Sequence, residues 1–476
     1  MLSGLKQIMV SGLKQMSRFI LRVAVFVGII VVFMGGVAVS GYMGSQKSFW
    51  GSVRQEPVPS LEGAPIPVHD PNKPTVAVLL GNENTEGLDF AIPYELFSMT
   101  GAYNVYAVAA EKQVRSLTGG LDVMPHYSFD ELDRLLGKSA DIIAIPYMTM
   151  RNPKNFEPVR EWILRHKETV LLSICAGADN LAATGLLDGK SAATHWQTMP
   201  VLTKKYPEVS WINDRRYVAN GPKLISSAGI SSGIDAVLHV IAQQLGEPAA
   251  AKIADELKYP SYHFVQNPQV EPFYVDLRYA TYVLNNAFQW SKKKAGVLLY
   301  DGVEEMALAS VFDIYSDTGT TRVLSVSGTA RPIVTKHGLI AIARHSMSDL
   351  PKLDKMIVPG TQAKLRATEE IERWNEQGKR TELQFVHADS PNRFLFEVQL
   401  EDLARQEDLL TAKHAVKRLE FRADDIRLEG KPMPLETYAE LLFTFAVSLL
   451  AAYYTDKRFF RKQKLPRGGQ GSRTLS

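Results

Sequence analysis

The sequence predicts an α/β protein: a doubly wound, mostly parallel sheet with a nucleophile elbow, partly duplicated, behind an N-terminal transmembrane helix. Three observations carry this. From residue 75 onward, short apolar runs alternate with helical patterns, which is how a parallel sheet covered on both faces reads. The apolar run Thr169 to Ile174 ends at Cys175, the only cysteine, and the small residues Ala176, Gly177 and Ala178 follow. Near the start, Val23 to Val39 contains no charged residue.

Composition bounds the rest. A chain of 476 residues is too long for one ordinary core, so two or three domains are expected. With 45% hydrophobic and 22% charged residues, it reads as folded globular material. The net charge of +3 comes largely from the two ends. The body therefore lacks the basic footprint of a nucleic-acid binder, and no nucleic-acid partner is expected. A single cysteine excludes an intramolecular disulfide and a cysteine-based metal cluster. No cofactor or metal is expected.

Residues 1–43 form a cytoplasmic stub and anchor. Lys6, Lys14, Arg18 and Arg22 precede the uncharged run, which with its flanks is long enough to span a bilayer. The basic flank places the N-terminus in the cytoplasm and the main domains outside, at the cell membrane. A cleaved signal peptide is the rival, but its apolar region is shorter, about 7–15 residues. Residues 44–73 are rich in proline and read as an extended stalk.

The first globular domain, residues 74–262, opens with the strand Thr75–Leu80 and a helix from about Asp89 to Met99. Strand Asn104–Ala109, helix Asp130–Leu136, strand Asp141–Ile145 and helix Pro158–His166 follow. The next strand runs into Cys175, and a helix from Asp179 to Thr184 is stopped by Gly185. A strand that turns directly into a helix leaves one side chain exposed on a sharp bend. That side chain is Cys175, and the helix N-terminus behind it favours thiolate. The competing reading is a buried structural cysteine. Chemistry in such sheets collects at the carboxyl ends of the strands, where Asp89, Glu95, Pro146 and Cys175 would meet.

Several stretches carry a specific resemblance. They are Gly87-Leu88-Asp89 with Pro93-Tyr94-Glu95-Leu96-Phe97, Ser173-Ile174-Cys175-Ala176-Gly177, and Gly185 to Lys190 with Ala193-Thr194-His195-Trp196. Ser227-Ala228-Gly229-Ile230, Gly233-Ile234-Asp235 and Leu257-Lys258-Tyr259 complete the set. Together they make residues 75–260 similar to the DJ-1/PfpI superfamily, the class I glutamine amidotransferase-like fold. The nearest branch contains isocyanide hydratase and the N-terminal domains of some AraC-type regulators. The resemblance implies a flavodoxin-like sheet, a reactive Cys175 and Asp89 as its acid/base partner. It brings Glu95 and His195 in as further candidate catalytic residues. Glu95 competes with a role as a structural helix acid, Asp89 with a helix N-cap, and His195 with a hydrogen-bonded core histidine. The resemblance also implies a small-molecule ligand or substrate and allows a homodimer.

Two departures weaken the catalytic reading. Ala176 stands where relatives place a histidine or hydroxyl residue, so it can neither take the thiol proton nor position a water. Ile145-Pro146-Tyr147-Met148 replaces a Pro-Gly-Gly turn, whose glycines let backbone N–H groups approach an oxyanion.

Residues 263–294 read as a connector and 295–456 as a degenerate second lobe. Ala295 to Tyr300 answers Val76 to Gly81. Val311-Phe312-Asp313-Ile314 answers Tyr94-Glu95-Leu96-Phe97, and Met356 to Gly360 answers Ile142 to Tyr147. No cysteine stands near Leu383–Ser390, where a second elbow would fall. Residues 441–454 are apolar and read either as a buried helix of the second lobe or as a second transmembrane segment, with the buried helix preferred because the uncharged run is short. Residues 457–476 are a basic tail. Two functions follow. One is a membrane-anchored, cysteine-dependent hydratase or hydrolase acting on a small electrophile outside the cytoplasm. The other is a non-catalytic sensor or binding module at the membrane surface.

Overall fold

The computed structural model describes residues 2–61, 65–378, 381–422 and 426–461; the tail beyond 461 lies outside the described residues. The chain divides into two compact units. One comprises 1–43, 287–290 and 435–476, and the other 44–286 and 291–434.

The larger unit is built on two sheets, one mostly and one wholly parallel. The first contains β1 (Thr75–Leu80), β2 (Asn104–Ala109), β3 (Tyr127–Ser128), β4 (Ile142–Ile145), β5 (Val170–Ser173), β6 (Tyr217–Ala219) and β7 (Leu224–Ser227). Its order is β6-β7-β5-β4-β1-β2-β3, and only the β6–β7 pair is antiparallel. Every residue of β1, β2, β4 and β5 is buried, as sheets covered on both faces require. The second sheet contains β8 (Lys293–Leu299), β9 (Thr321–Ser327), β10 (His345–Ser346), β11 (Lys355–Ile357) and β12 (Leu383–Gln384), in the order β10-β9-β8-β11-β12 and parallel throughout.

The two lobes meet along paired helices, Gly87–Met99 and Glu305–Asp317, each thirteen residues long. Nearly every residue of both is buried, because each lies between its own sheet and the other lobe. Such a helix is buried on all sides, and the acids it carries need partners inside the protein. The contacts are reciprocal. Glu95 of the first helix accepts the Met306 N–H at the start of the second at 2.6 Å. Asp313 of the second lies beside Glu86, the N-cap of the first. A small antiparallel sheet also joins the lobes, pairing Asp122–Met124 with Ile340–Ile342.

The strand pairings near the carboxyl ends run alike in the two lobes. Ala144 pairs with Leu172 in the first sheet, and Ile357 pairs with Gln384 in the second. Each strand on the left of these pairs reaches proline two residues later, Pro146 and Pro359. Three residues beyond the partners stand Cys175 and His387. Counted from the helix starts, Asp313 holds the same place in its helix as Glu95 does in the other, one position from the equivalence read in the sequence.

Two expectations fail here. Among the described residues, 44–61 and 65–73 are not an extended stalk. The N-terminal helix continues to Trp50. Beyond it, Arg54 binds the buried Asp122 at 2.9 Å, and Asp70 and Asn104 exchange hydrogen bonds of 2.9 Å. Asp122 is fully buried, and Arg54 and Arg344 supply its counter-charge. The C-terminal helix, Leu435–Asp456, is not buried in the second lobe. It belongs to the smaller unit with the N-terminal helix, and Leu442, Phe443, Leu450 and Tyr454 are exposed.

Candidate functional site

The elbow forms as its residues dictate. β5 delivers Ile174, whose N–H bonds Ile145 O at 3.0 Å, and the chain then turns at Cys175 with φ 57°. Among the described residues only Cys175, Lys258 and Glu420 are non-glycine residues at positive φ. This conformation costs about 1–3 kcal/mol and collects at functional sites. The helix behind the turn is Gly177–Ala182. Gly177 is required because a Cβ there would stand 2.2 Å from Ile145 O. The Cys175 N–H is held by Ser227 Oγ at 3.0 Å.

The thiol differs from the expectation. Cys175 is only 6% exposed, and burial pushes its pKa well up. Carboxyl groups of Asp89, Glu86 and Glu420 push it further in the same direction. Burial is the largest of these causes, and it leaves the thiol protonated at neutral pH.

Asp89 lies in the first turn of its helix, and its carboxyl raises the thiol pKa electrostatically. It is not the N-cap. Glu86 takes that role and accepts the Asp89 N–H at 2.5 Å. Asp89 is fully buried, and burial raises its pKa to about 8 against the opposing N–H of Tyr147. At neutral pH it is therefore a protonated acid. Its Oδ2 accepts the Tyr147 N–H at 3.3 Å, and its Oδ1 has no hydrogen-bond partner.

The loop after β4 has no amide to spare. Tyr147 N–H is taken by Asp89, and Met148 N–H by Asn180 Oδ1 at 2.9 Å. These are the donors an oxyanion site would use.

Glu95 and His195 are engaged elsewhere. Glu95 turns to the second lobe, and burial followed by the nearby Glu305 and Glu304 raises its pKa. Glu95, Glu305 and His337 bring donor atoms within 4.8 Å of one another. However, Glu305 already bonds His337 Nδ1 at 2.7 Å and Thr335 Oγ1 at 2.5 Å. His195 is 5% exposed and bonds Arg418 O through Nε2 at 2.8 Å. Burial lowers its pKa to about 4, so it is a neutral histidine at the lobe contact.

Sequence reasoning missed what the second lobe supplies. Arg418 is buried and forms ion pairs with Asp313 at 2.6 Å, Asp317 at 3.0 Å and Glu86 at 3.6 Å. Glu420, at φ 52°, packs its carboxyl against the backbone of Gly229. Burial raises the Glu420 pKa to about 7. Beside it opens a cavity of about 330 Å³ lined by Thr194, Trp196, Phe273, Tyr274, Glu420 and Arg422, among others. Thr194 Oγ1 reaches Cys175 O at 3.4 Å, so the cavity adjoins the elbow. Thr194 and Trp196 lie in a stretch singled out in the sequence, whereas Arg418 and Glu420 carry no local signal.

The DJ-1/PfpI family model matches residues 74–243. The regulator CdhR of Pseudomonas aeruginosa is 33% identical over 110 residues, which are 21% of this chain and 32% of that protein. The isonitrile hydratase of Pseudomonas putida is 25% identical over 177 residues, 36% of this chain and 73% of the hydratase. The chain thus spans about a third of the regulator's length. Among solved structures, a DJ-1 superfamily protein of Salmonella typhimurium is 22% identical, with a TM-score of 0.35 over 39% of this chain and 99% of that one. Drosophila melanogaster DJ-1beta is 18% identical, with a TM-score of 0.34 over 39% and 98%. Residues 74–243 of this chain are a DJ-1/PfpI domain.

Proposed function

We propose that the protein is a small-molecule binding module of the DJ-1/PfpI type, held at a membrane by its N-terminal helix, with its body outside the cytoplasm. The observation that carries this is the closed elbow. Cys175 is 6% exposed, its thiol is held protonated, and the neighbouring Tyr147 and Met148 amides are already bonded. A nucleophile needs a thiolate and an open approach. The cavity beside Glu420 is of a size to take a small molecule. In this reading the DJ-1/PfpI domain extends to residue 262. Residues 295–434 are a degenerate copy whose role is to close the site, in keeping with the like strand pairings and the reciprocal helix contacts. A homodimer is then not needed to cover this face.

A second reading is cysteine-dependent hydration or hydrolysis of a small electrophile. It is favoured by the retained pair of protonated Asp89 and strained Cys175. Thermal-shift screening of small aldehydes, nitriles and amides separates the two. On the binding reading, stabilisation by a hit persists in Cys175→Ala and is lost in Trp196→Ala. Stabilisation that vanishes in Cys175→Ala, with a mass adduct on the wild-type thiol, would establish covalent chemistry instead.

A further inference from the structure

The smaller unit holds two long helices. In the N-terminal one, residues 23–46 carry no charge. Along it Val27, Val31 and Val32 are exposed, the last by 75%. The C-terminal helix buries Thr437, Thr444, Ser448, Ala452 and Asp456. These fall on one face, at intervals of seven, four, four and four residues. Its large apolar side chains point away, with Phe443 62% and Leu450 57% exposed. This arrangement is the reverse of a water-soluble hairpin. Small and hydroxyl residues face inward, which lets backbones approach closely, as in helix pairs whose solvent is hydrocarbon.

The polar ends are satisfied. At one end Arg22 forms a two-pronged ion pair with Asp456. At the other, a Cβ on Gly41 would stand 2.1 Å from Ala287 O, so only glycine admits that approach. There Trp290 N–H donates to Glu440 at 2.6 Å, and Gln289 accepts from Thr437 Oγ1 at 2.8 Å. Sixteen residues separate Glu440 from Asp456, about 24 Å of helix, and nineteen separate Arg22 from Gly41, about 28 Å. Both distances approach the hydrocarbon thickness of a bilayer, about 30 Å, and a shortfall of this size is met by local thinning. The Arg22–Asp456 pair also brings two basic flanks to the same end. One is Lys6, Lys14 and Arg18, and the other is Lys457, Arg458 and Arg461. A second span and a shared cytoplasmic side are what the charge rule requires of such a hairpin.

We propose that Leu435–Asp456 is a second transmembrane helix, packed antiparallel on the first, so that bilayer hydrocarbon covers the exposed apolar faces and both termini are cytoplasmic. The proposal rests on the membrane anchoring of the preceding reading. It replaces the single span expected from the sequence. The Arg22–Asp456 pair marks the cytoplasmic boundary, and Trp290 stands at the outer one.

The test uses single cysteines in full-length Cys175→Ala protein, probed with a membrane-impermeant maleimide on intact spheroplasts. Both sites, Glu161→Cys and Lys457→Cys, are at exposed residues. Glu161→Cys is expected to label in intact spheroplasts, and Lys457→Cys only after permeabilisation. Labelling of both from outside would overturn the second span while leaving the anchor reading intact. Labelling of neither until permeabilisation would overturn the extracytoplasmic placement itself. Recovery of the full chain as a soluble oligomer without detergent would overturn lipid as the occupant in favour of a second copy.

Discussion

The backbone N–H of Tyr147 donates to the carboxyl of Asp89 at 3.3 Å. The bond joins the loop where an oxyanion would be stabilised to the acid expected to serve the thiol, and it occupies both. A carboxyl group at pKa about 8 that is fixed in this way is a hydrogen-bond donor at neutral pH.

The thiol should therefore be slow to alkylate. At pH 7.5, iodoacetamide is expected to modify Cys175 at least about tenfold more slowly than a free cysteine, whose pKa is about 8.5. Glu420→Gln removes one of the acids that hold the thiol protonated, so its rate–pH profile should move to lower pH. A wild-type rate equal to that of free cysteine would contradict the closed elbow.

Stability should depend on pH through the buried carboxyls. Folding raises Asp89 from 3.8 to about 8 and Glu420 from 4.5 to about 7. A raised carboxyl contributes stability that is fully present below its unfolded pKa and is lost as pH rises through its folded pKa. Between about pH 5 and 7 each group thus weakens folding by about tenfold per pH unit. His195, lowered from 6.5 to about 4, acts with the opposite sign and costs stability as pH falls through that window. Denaturant melts of Asp89→Asn against pH should show a shallower alkaline decline than wild type. An unchanged slope would place Asp89 in contact with water.

Arg418 reaches across the lobe contact to Glu86 and pairs within its own lobe with Asp313 and Asp317. Arg418→Ala leaves Glu86, Asp313 and Asp317 buried without their cation. Breaking such a cluster costs about 3–5 kcal/mol. Urea unfolding should show this loss as a lower midpoint. A midpoint equal to that of wild type would show that the three carboxyls do not depend on this cation.

Gly177→Ala forces a Cβ onto Ile145 O. The elbow cannot form with that clash, and the first lobe should lose cooperative unfolding by circular dichroism. By contrast, Gly189→Ala, with nothing within 4 Å of the new Cβ, faces only the strain of φ 71°, a cost of about 1–2 kcal/mol. Equal losses for the two variants would refute the argument from close approach.

The sequence made the first lobe legible because its signals are local. A strand, a bend and a helix around Cys175 occupy adjacent residues, and so do Asp89 and its helix. Arg418 and Glu420 carry no such signal. They follow Cys175 by more than 240 residues, and only the lobe contact makes them part of the site. The same contact explains Glu95 and His195, whose types suit catalysis but whose partners are Met306 and Arg418. The C-terminal helix was hard to read because Glu440 and Asp456 shorten its uncharged run. Each has a partner, the Trp290 N–H and Arg22, that no run length reveals.

The small sheet shared by Asp122–Met124 and Ile340–Ile342 has a practical bearing on how the protein can be cut. A fragment ending where family similarity ends would leave the Asp122–Met124 strand with a bare edge, open to pairing with other chains. It would also strip the cover from the helix Gly87–Met99. A piece of chain that keeps this strand and this helix covered therefore runs past residue 342 and takes in the helix Glu305–Asp317.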